Sequence, residues 1–217
     1  MVVFLEGNIG AGKSTLLSKL KNMGYVVVYE PVDEWMTMRA RPDGESFFEL
    51  FYKDKKRYGF MFQMVALQSR ISHIQKIVAT KSQTQPIICE RSFFTDHQVF
   101  AKMLHDQKII SDEEFCVYKM WYNYLVELIK PQVSGIIYLK ASPETCVKRI
   151  AKRNRKGEEE LGLDYVRNVH DRHEDWLMSS TPVDMPVHVV DGEVENLDVS
   201  AELVGFLSTL VADESIA

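Results

Sequence analysis

Short, almost purely aliphatic runs recur along the chain at 2–5, 25–29, 86–89, 134–139 and 187–190. Runs apolar at every position, rather than at every second one, predict strands buried on both faces, as in a parallel sheet. Between them the apolar residues fall at helical spacing, which predicts helices near 13–22, 60–80, 111–130, 142–154, 162–178 and 199–212. Two of these carry start signals. Ser111-Asp112-Glu113-Glu114 sets a capping serine before three acids that suit a helix N-terminus, and Pro131 stops that helix. Ser142-Pro143-Glu144 repeats the device with proline at the first helical position. Strands alternating with helices imply a three-layer α/β fold, a five-stranded parallel sheet flanked by helices, with ligands at the carboxyl ends of the strands.

Composition narrows the picture without naming a chemistry. The chain has 217 residues, 46% hydrophobic and 26% charged, the balance of a folded globular protein. No repeat or Pro/Gly/Ser linker divides it, so residues 1–217 are expected to form one domain. No apolar run approaches the ~20 residues of a membrane span, and no membrane partner is expected. The first five residues lack a basic region and lead straight into a predicted strand, so no signal or transit segment is expected. A net charge of −5 gives no basic character for a nucleic-acid polymer. Cys89, Cys116 and Cys146 are odd in number and far apart, which fits neither a disulfide framework nor a zinc site. They suit a reducing, cytoplasmic setting.

Chemistry enters at residues 7–14. Gly7-Asn8-Ile9-Gly10-Ala11-Gly12-Lys13-Ser14 fits the phosphate-binding pattern G-x-x-x-x-G-K-[ST], placed after a predicted strand and at the start of a helix. Glycines let the backbone wrap a triphosphate with its N–H groups inward. The helix N-terminus adds partial positive charge, Lys13 a full one, and Ser14 a hydroxyl for Mg²⁺. A GTPase would also carry N-K-x-D or T-K-x-D, and neither occurs. A kinase of a small metabolite is then the expected class.

A second group lies where the next strands end. Tyr29-Glu30-Pro31-Val32-Asp33-Glu34-Trp35 and Cys89-Glu90-Arg91-Ser92 each bring an acid to the crevice into which the first strand delivers its phosphate loop. A carboxylate there can take a proton from a hydroxyl, and an arginine can balance growing charge. At these residues the chain resembles the deoxynucleoside kinase family. The resemblance runs through G-N-I-x-A-G-K-S-T at Gly7, Asn8, Ile9, Gly10, Ala11, Gly12, Lys13, Ser14 and Thr15, and E-P-V-x-x-W at Glu30 to Trp35. It continues through F-Y-K-D at 51–54 with Phe62-Gln63, E-R-S at 90–92, the arginines 149, 153 and 155, and H-E-x-W-L at 173–177.

The resemblance implies a P-loop kinase fold with a small helical lid at about 149–160, and a role for each matched residue. Glu30 would be the general base for the sugar 5′-hydroxyl, with Arg91 stabilising charge beside it. Glu90 would help Ser14 hold Mg²⁺. Gln63 would read the base edge, Trp35 and Phe100 would flank the base, and Tyr52 and Glu158 would bind the 3′-hydroxyl. Arg149 and Arg153, one helical turn apart, and Arg155 after them would close on the donor phosphates. Lys156-Gly157 stand before Glu158 where the family has small or polar residues. The family also pairs through two long helices, here 60–80 and 111–130, so a homodimer is expected.

Within the family two positions discriminate among bases, and the matching residues here are Arg70 and Asp96. Deoxycytidine and deoxyguanosine kinases carry this pair, whereas relatives that accept thymidine have apolar or small residues. An ionised Asp only accepts hydrogen bonds, which suits an exocyclic amine and not the O4 of thymine. The alternative is a salt bridge away from the pocket. The reaction expected is ATP-dependent phosphorylation of 2′-deoxynucleosides for nucleotide salvage, with deoxycytidine or deoxypurines preferred to thymidine. Two other readings stay open: a nucleoside-monophosphate kinase, thymidylate-like, and a nucleotide-binding regulatory subunit of a kinase.

Overall fold

The computed structural model describes residues 1–80, 86–129, 133–155, 158, 161–179, 183–195 and 197–214. Its sheet is built from β1 (Val2–Glu6), β2 (Val26–Val28), β3 (Ile87–Glu90), β4 (Val133–Lys140) and β5 (Val187–Asp191). The order is β2-β3-β1-β4-β5 and every pairing is parallel. Alternate residues of the central β1 go to opposite layers. Val3 and Leu5 pack with Leu16, Leu17 and Leu20 on one face, and Val2 and Phe4 with Leu67, Ile71 and Ile74 on the other. Each such buried side chain stabilises the fold by about 1.5–3 kcal/mol.

The helices are α1 (Lys13–Asn22), α2 (Val32–Thr37), α3 (Phe47–Lys53), α4 (Lys55–Thr80), α5 (Phe93–Thr95), α6 (Lys102–Asp106), α7 (Asp112–Ile129), α8 (Pro143–Arg153), α9 (Leu163–Leu177) and α10 (Ala201–Glu214). A π-helical segment, Asp96–Ala101, joins α5 to α6 without a break. The five strands and six long helices match the sequence pattern to within a few residues, but α2, α3 and the run from α5 to α6 do not appear in it. Helix α4 also begins five residues before its expected start at 60, because the Asp54 carboxylate accepts the Arg57 N–H at 3.0 Å and caps an earlier turn. Strand β2 stops at Val28, so Tyr29 and Glu30 already lie in the crevice.

Lys130 and Pro131, the expected end of the long helix before β4, lie outside the described residues, as do 156, 157, 159 and 160 of the expected lid. Helix α8 ends at Arg153, and Asn154 turns the chain in the left-handed region at φ 50°. Among the described residues no helix is long and apolar enough to cross a membrane. On the two helices expected to pair, Phe62, Ile71, Ile74 and Tyr118 are buried in the monomer. Val117, Met120, Trp121, Tyr124 and Leu128 leave an exposed apolar stripe on α7.

Candidate active site

The phosphate loop connects β1 to α1 and is wedged against two neighbours. A Cβ at Gly7 would stand 2.5 Å from the Leu139 carbonyl oxygen, and one at Gly10 would stand 2.5 Å from that of Cys146. Both glycines also have positive φ, so the pattern is required by space and by conformation. Inside the loop the Lys13 ammonium donates to the Gly7 and Asn8 carbonyls at 3.1 and 2.8 Å. Burial and the nearby Arg91 guanidinium lower its pKa to about 8, against the pull of Glu90, Glu30 and Glu6. The Asn8 side chain is occupied structurally, donating to the Val166 carbonyl at 2.8 Å and accepting the Ile9 N–H. Ile9 and Gly10 line the cleft, Ala11 is buried, Gly12 precedes α1, and Thr15 is exposed on its first turn.

The Ser14 hydroxyl lies 3.0 and 3.2 Å from the two oxygens of Glu90. A hydroxyl beside a carboxylate at a helix N-terminus is a donor set that fits a hard cation such as Mg²⁺.

Beyond the loop opens a cleft of about 280 Å³ at the carboxyl ends of β1, β2 and β3. Glu30 stands at its centre. Arg70 donates to Glu30 Oε1 from Nη1 at 3.2 Å and from Nη2 at 3.0 Å, and the Nε of Arg91 is 3.2 Å from the same oxygen. Burial alone would raise the Glu30 pKa, but Arg91 and Arg70 outweigh it and hold the carboxyl below its ordinary range. The same Arg70 forks onto Asp96, with Nε to Oδ2 at 3.0 Å and Nη2 to Oδ1 at 3.1 Å. Asp96 is 1% exposed, and burial pushes it up to about 7 in spite of that pairing. Both residues line the cleft, so the pair is not a remote salt bridge.

An apolar slot flanks these charges. Trp35 packs edge-on to Phe62 at 5.5 Å and donates its indole N–H to the Ser69 hydroxyl at 2.8 Å. Phe51 stacks on Phe62 at 4.6 Å. Phe100 lies under the Arg91 guanidinium at 5.0 Å. Gln63 lines the slot, and its buried Oε1 has no partner among the described residues. Tyr52 and Glu158 also line the cleft, and burial, with Tyr165 and Glu158 nearby, keeps the Tyr52 phenol well above its ordinary pKa.

The three arginines of the expected lid have separate surroundings. Arg153 and Arg155 reach the cleft, each paired with Glu158, at 2.5 and 3.3 Å. Arg149 instead donates to the carbonyls of Ala11 at 2.9 Å and Gly192 at 2.7 Å, tying the phosphate loop to the segment after β5. Two cleft residues are absent from the sequence reading. Tyr165 lines the cleft from α9 under the Lys55 ammonium, 4.4 Å from its ring. Phe48 is the other, and the S-x-x-E capping box at 46–49 signals the helix that carries it.

Phosphoryl transfer asks a protein for positioning and for charge opposite the moving group, and little else. A phosphate loop at the end of a central strand, facing a carboxylate steered by two guanidiniums, meets both needs. The class so defined is a P-loop kinase. A model of the deoxynucleoside kinase family matches residues 3–212, and the chain belongs to that family. It is 36% identical over 211 residues to a probable deoxycytidine kinase of fowlpox virus, covering 96% of this chain and 86% of that one. It is 35% identical over 193 residues to the mitochondrial deoxyguanosine kinase of Xenopus laevis, covering 82% and 73%. Human deoxycytidine kinase is 30% identical over 227 residues, with 96% and 87% covered. The chain is therefore a deoxynucleoside kinase, an enzyme class that takes its phosphoryl group from ATP.

Proposed function

We propose that this kinase transfers the γ-phosphoryl group of ATP to the 5′-hydroxyl of deoxycytidine or a deoxypurine nucleoside, in preference to thymidine, in nucleotide salvage. The observation that carries this reading is Glu30, held on one oxygen by Arg70 and Arg91 between the phosphate loop and the apolar slot. Glu30 takes the proton of the 5′-hydroxyl as that oxygen bonds to the γ-phosphorus and the bond to the bridging oxygen of ADP breaks. Arg91 balances charge at the acceptor oxygen, while Lys13, Arg153 and Arg155 serve the donor phosphates, the last two on leaving Glu158. Gln63 and Asp96 read the base between Trp35 and Phe100, and Tyr52 and Glu158 bind the 3′-hydroxyl. Mg²⁺, held by Ser14 and Glu90, would add charge neutralisation at the donor phosphates.

The exposed stripe on α7 supports a homodimer, and the free cysteines support a reducing compartment such as the cytoplasm. A monophosphate acceptor would need a spare basic grip, and each arginine lining the cleft is already opposed by a carboxylate. The test is kcat/KM with ATP for deoxycytidine, deoxyadenosine, deoxyguanosine, thymidine and deoxycytidine monophosphate. At least a tenfold lead of an amine-bearing nucleoside over thymidine is expected, with no use of the monophosphate. Preference for thymidine would overturn the base assignment, and preference for the monophosphate would overturn the acceptor class. Nucleotide binding without turnover would favour the regulatory-subunit reading.

A further inference from the structure

Glu6 is a fully buried carboxylate with no part in the reaction described above. It ends β1, directly before the phosphate loop. Its Oε1 accepts the Ser92 N–H at 2.8 Å, and its Oε2 accepts a short hydrogen bond from the Thr95 hydroxyl. Among the described hydrogen bonds and ion pairs its oxygens meet these neutral donors and no cationic side chain. Ser92 in turn caps the helical run 93–106 by accepting the Thr95 N–H at 3.1 Å. Glu6 therefore sits at the positive end of the helix that carries Asp96 and Phe100.

The first of the two residues between β3 and that helix is Arg91. Its N–H still belongs to the sheet, donating to the Leu5 carbonyl at 3.0 Å, yet its φ is +60°. A side-chain-bearing residue adopts that conformation only where its surroundings impose it. Glu6 grips the next peptide, so it fixes the point at which the chain turns and Arg91 is aimed at Glu30.

We propose that Glu6 is a positioning residue. Its carboxylate locks the phosphate-loop strand to the turn that aims Arg91 and to the helix that presents Asp96. One buried group thereby sets the acceptor half of the site against the donor half. This rests on the acceptor reading given above for Arg91 and Asp96.

The test compares Glu6→Gln, Thr95→Val and the double variant with wild type, using deoxycytidine and ATP at saturation. Turnover is counted per titrated active site, well below each variant's Tm. The Gln side chain keeps its volume and an acceptor for Ser92, but directs an amide N–H₂ where Thr95 donates. Glu6→Gln is expected to lose at least tenfold in kcat per site and Thr95→Val at least threefold. The double variant should be no worse than Glu6→Gln alone, because the two changes break one device. Unchanged turnover per site with only a lowered Tm would overturn the proposal and leave Glu6 a role in stability. Losses that multiply in the double variant would overturn it too. If Glu6→Gln does not fold, Thr95→Val decides alone by the same threefold criterion. A wild-type enzyme that phosphorylates no deoxynucleoside refutes the acceptor reading instead, and that control is read before any variant.

Discussion

On the proposed reading, Asp96 is the residue whose protonation bears most directly on which base can enter. With its pKa lifted to about 7 by burial, opposed by Arg70, it changes state within the working range of a kinase. The ionised form only accepts hydrogen bonds, whereas the protonated form can donate one to a carbonyl oxygen such as thymine O4. Between pH 6 and pH 8 the protonated fraction falls from about nine tenths to about one tenth. Discrimination between deoxycytidine and thymidine, read as a ratio of kcat/KM, is therefore expected to rise by up to about tenfold over that interval. A flat or falling ratio would show that Asp96 does not face the base. Glu30 behaves in the opposite way, because the Arg91 and Arg70 guanidiniums keep it ionised. Replacing it by Gln should leave nucleoside binding in place and lower kcat by about 10²–10⁴, the usual worth of a positioned base. Near-normal turnover in that variant would remove Glu30 from the proton's path.

At the scale of elements, α4 matters most, since it carries both Gln63 and Arg70. The sequence shows these residues on one helical face, and it shows Arg70 with Asp96 as a pair. It does not show that Arg70 also reaches Glu30, because that ion pair joins α4 to a strand end 40 residues away. The consequence alters what a specificity variant should do. Arg70→Met with Asp96→Ala makes the slot apolar and should raise thymidine use relative to deoxycytidine by about 10–100-fold, as expected for removing a mismatched polar contact of about 1–3 kcal/mol. It should also lower kcat for every nucleoside, because Glu30 loses a guanidinium. Single-turnover rates at saturation would separate the two effects, and an undiminished rate would dismiss the second. The phosphate loop, Glu30 and the E-R-S turn were readable because each is a local pattern at the end of an aliphatic run. Glu6 was not, since by position it is simply the last residue of a strand. The π-helical segment likewise has no local signature, and α2 is a helix of six residues.

At the scale of the whole molecule, α7 carries a surface that the protein's own core leaves uncovered. Along α7, Met120 is 67% and Leu128 57% exposed, with Trp121 and Tyr124 between them. Covering this stripe with a second copy predicts a mass near twice 25.1 kDa by light scattering at micromolar concentration. Trp121→Glu with Leu128→Glu should return the protein to single chains, and a wild type already monomeric would refute the pairing. The placing of β1 has a different consequence, for how the protein is made. Strand β1 is central in the sheet, and its partners come much later in the chain, β3 at 87–90 and β4 at 133–140. Gly7 is packed against the carbonyl of Leu139, and Gly10 against that of Cys146 in α8. The phosphate cradle thus cannot take shape on a ribosome until the residues up to Cys146 have emerged. Long-range parallel pairing of this kind is slow, and it leaves apolar strands waiting in the open. Nascent chains shorter than this have no nucleotide to steady them, so affinity for ATP arrives in one late step rather than growing with length.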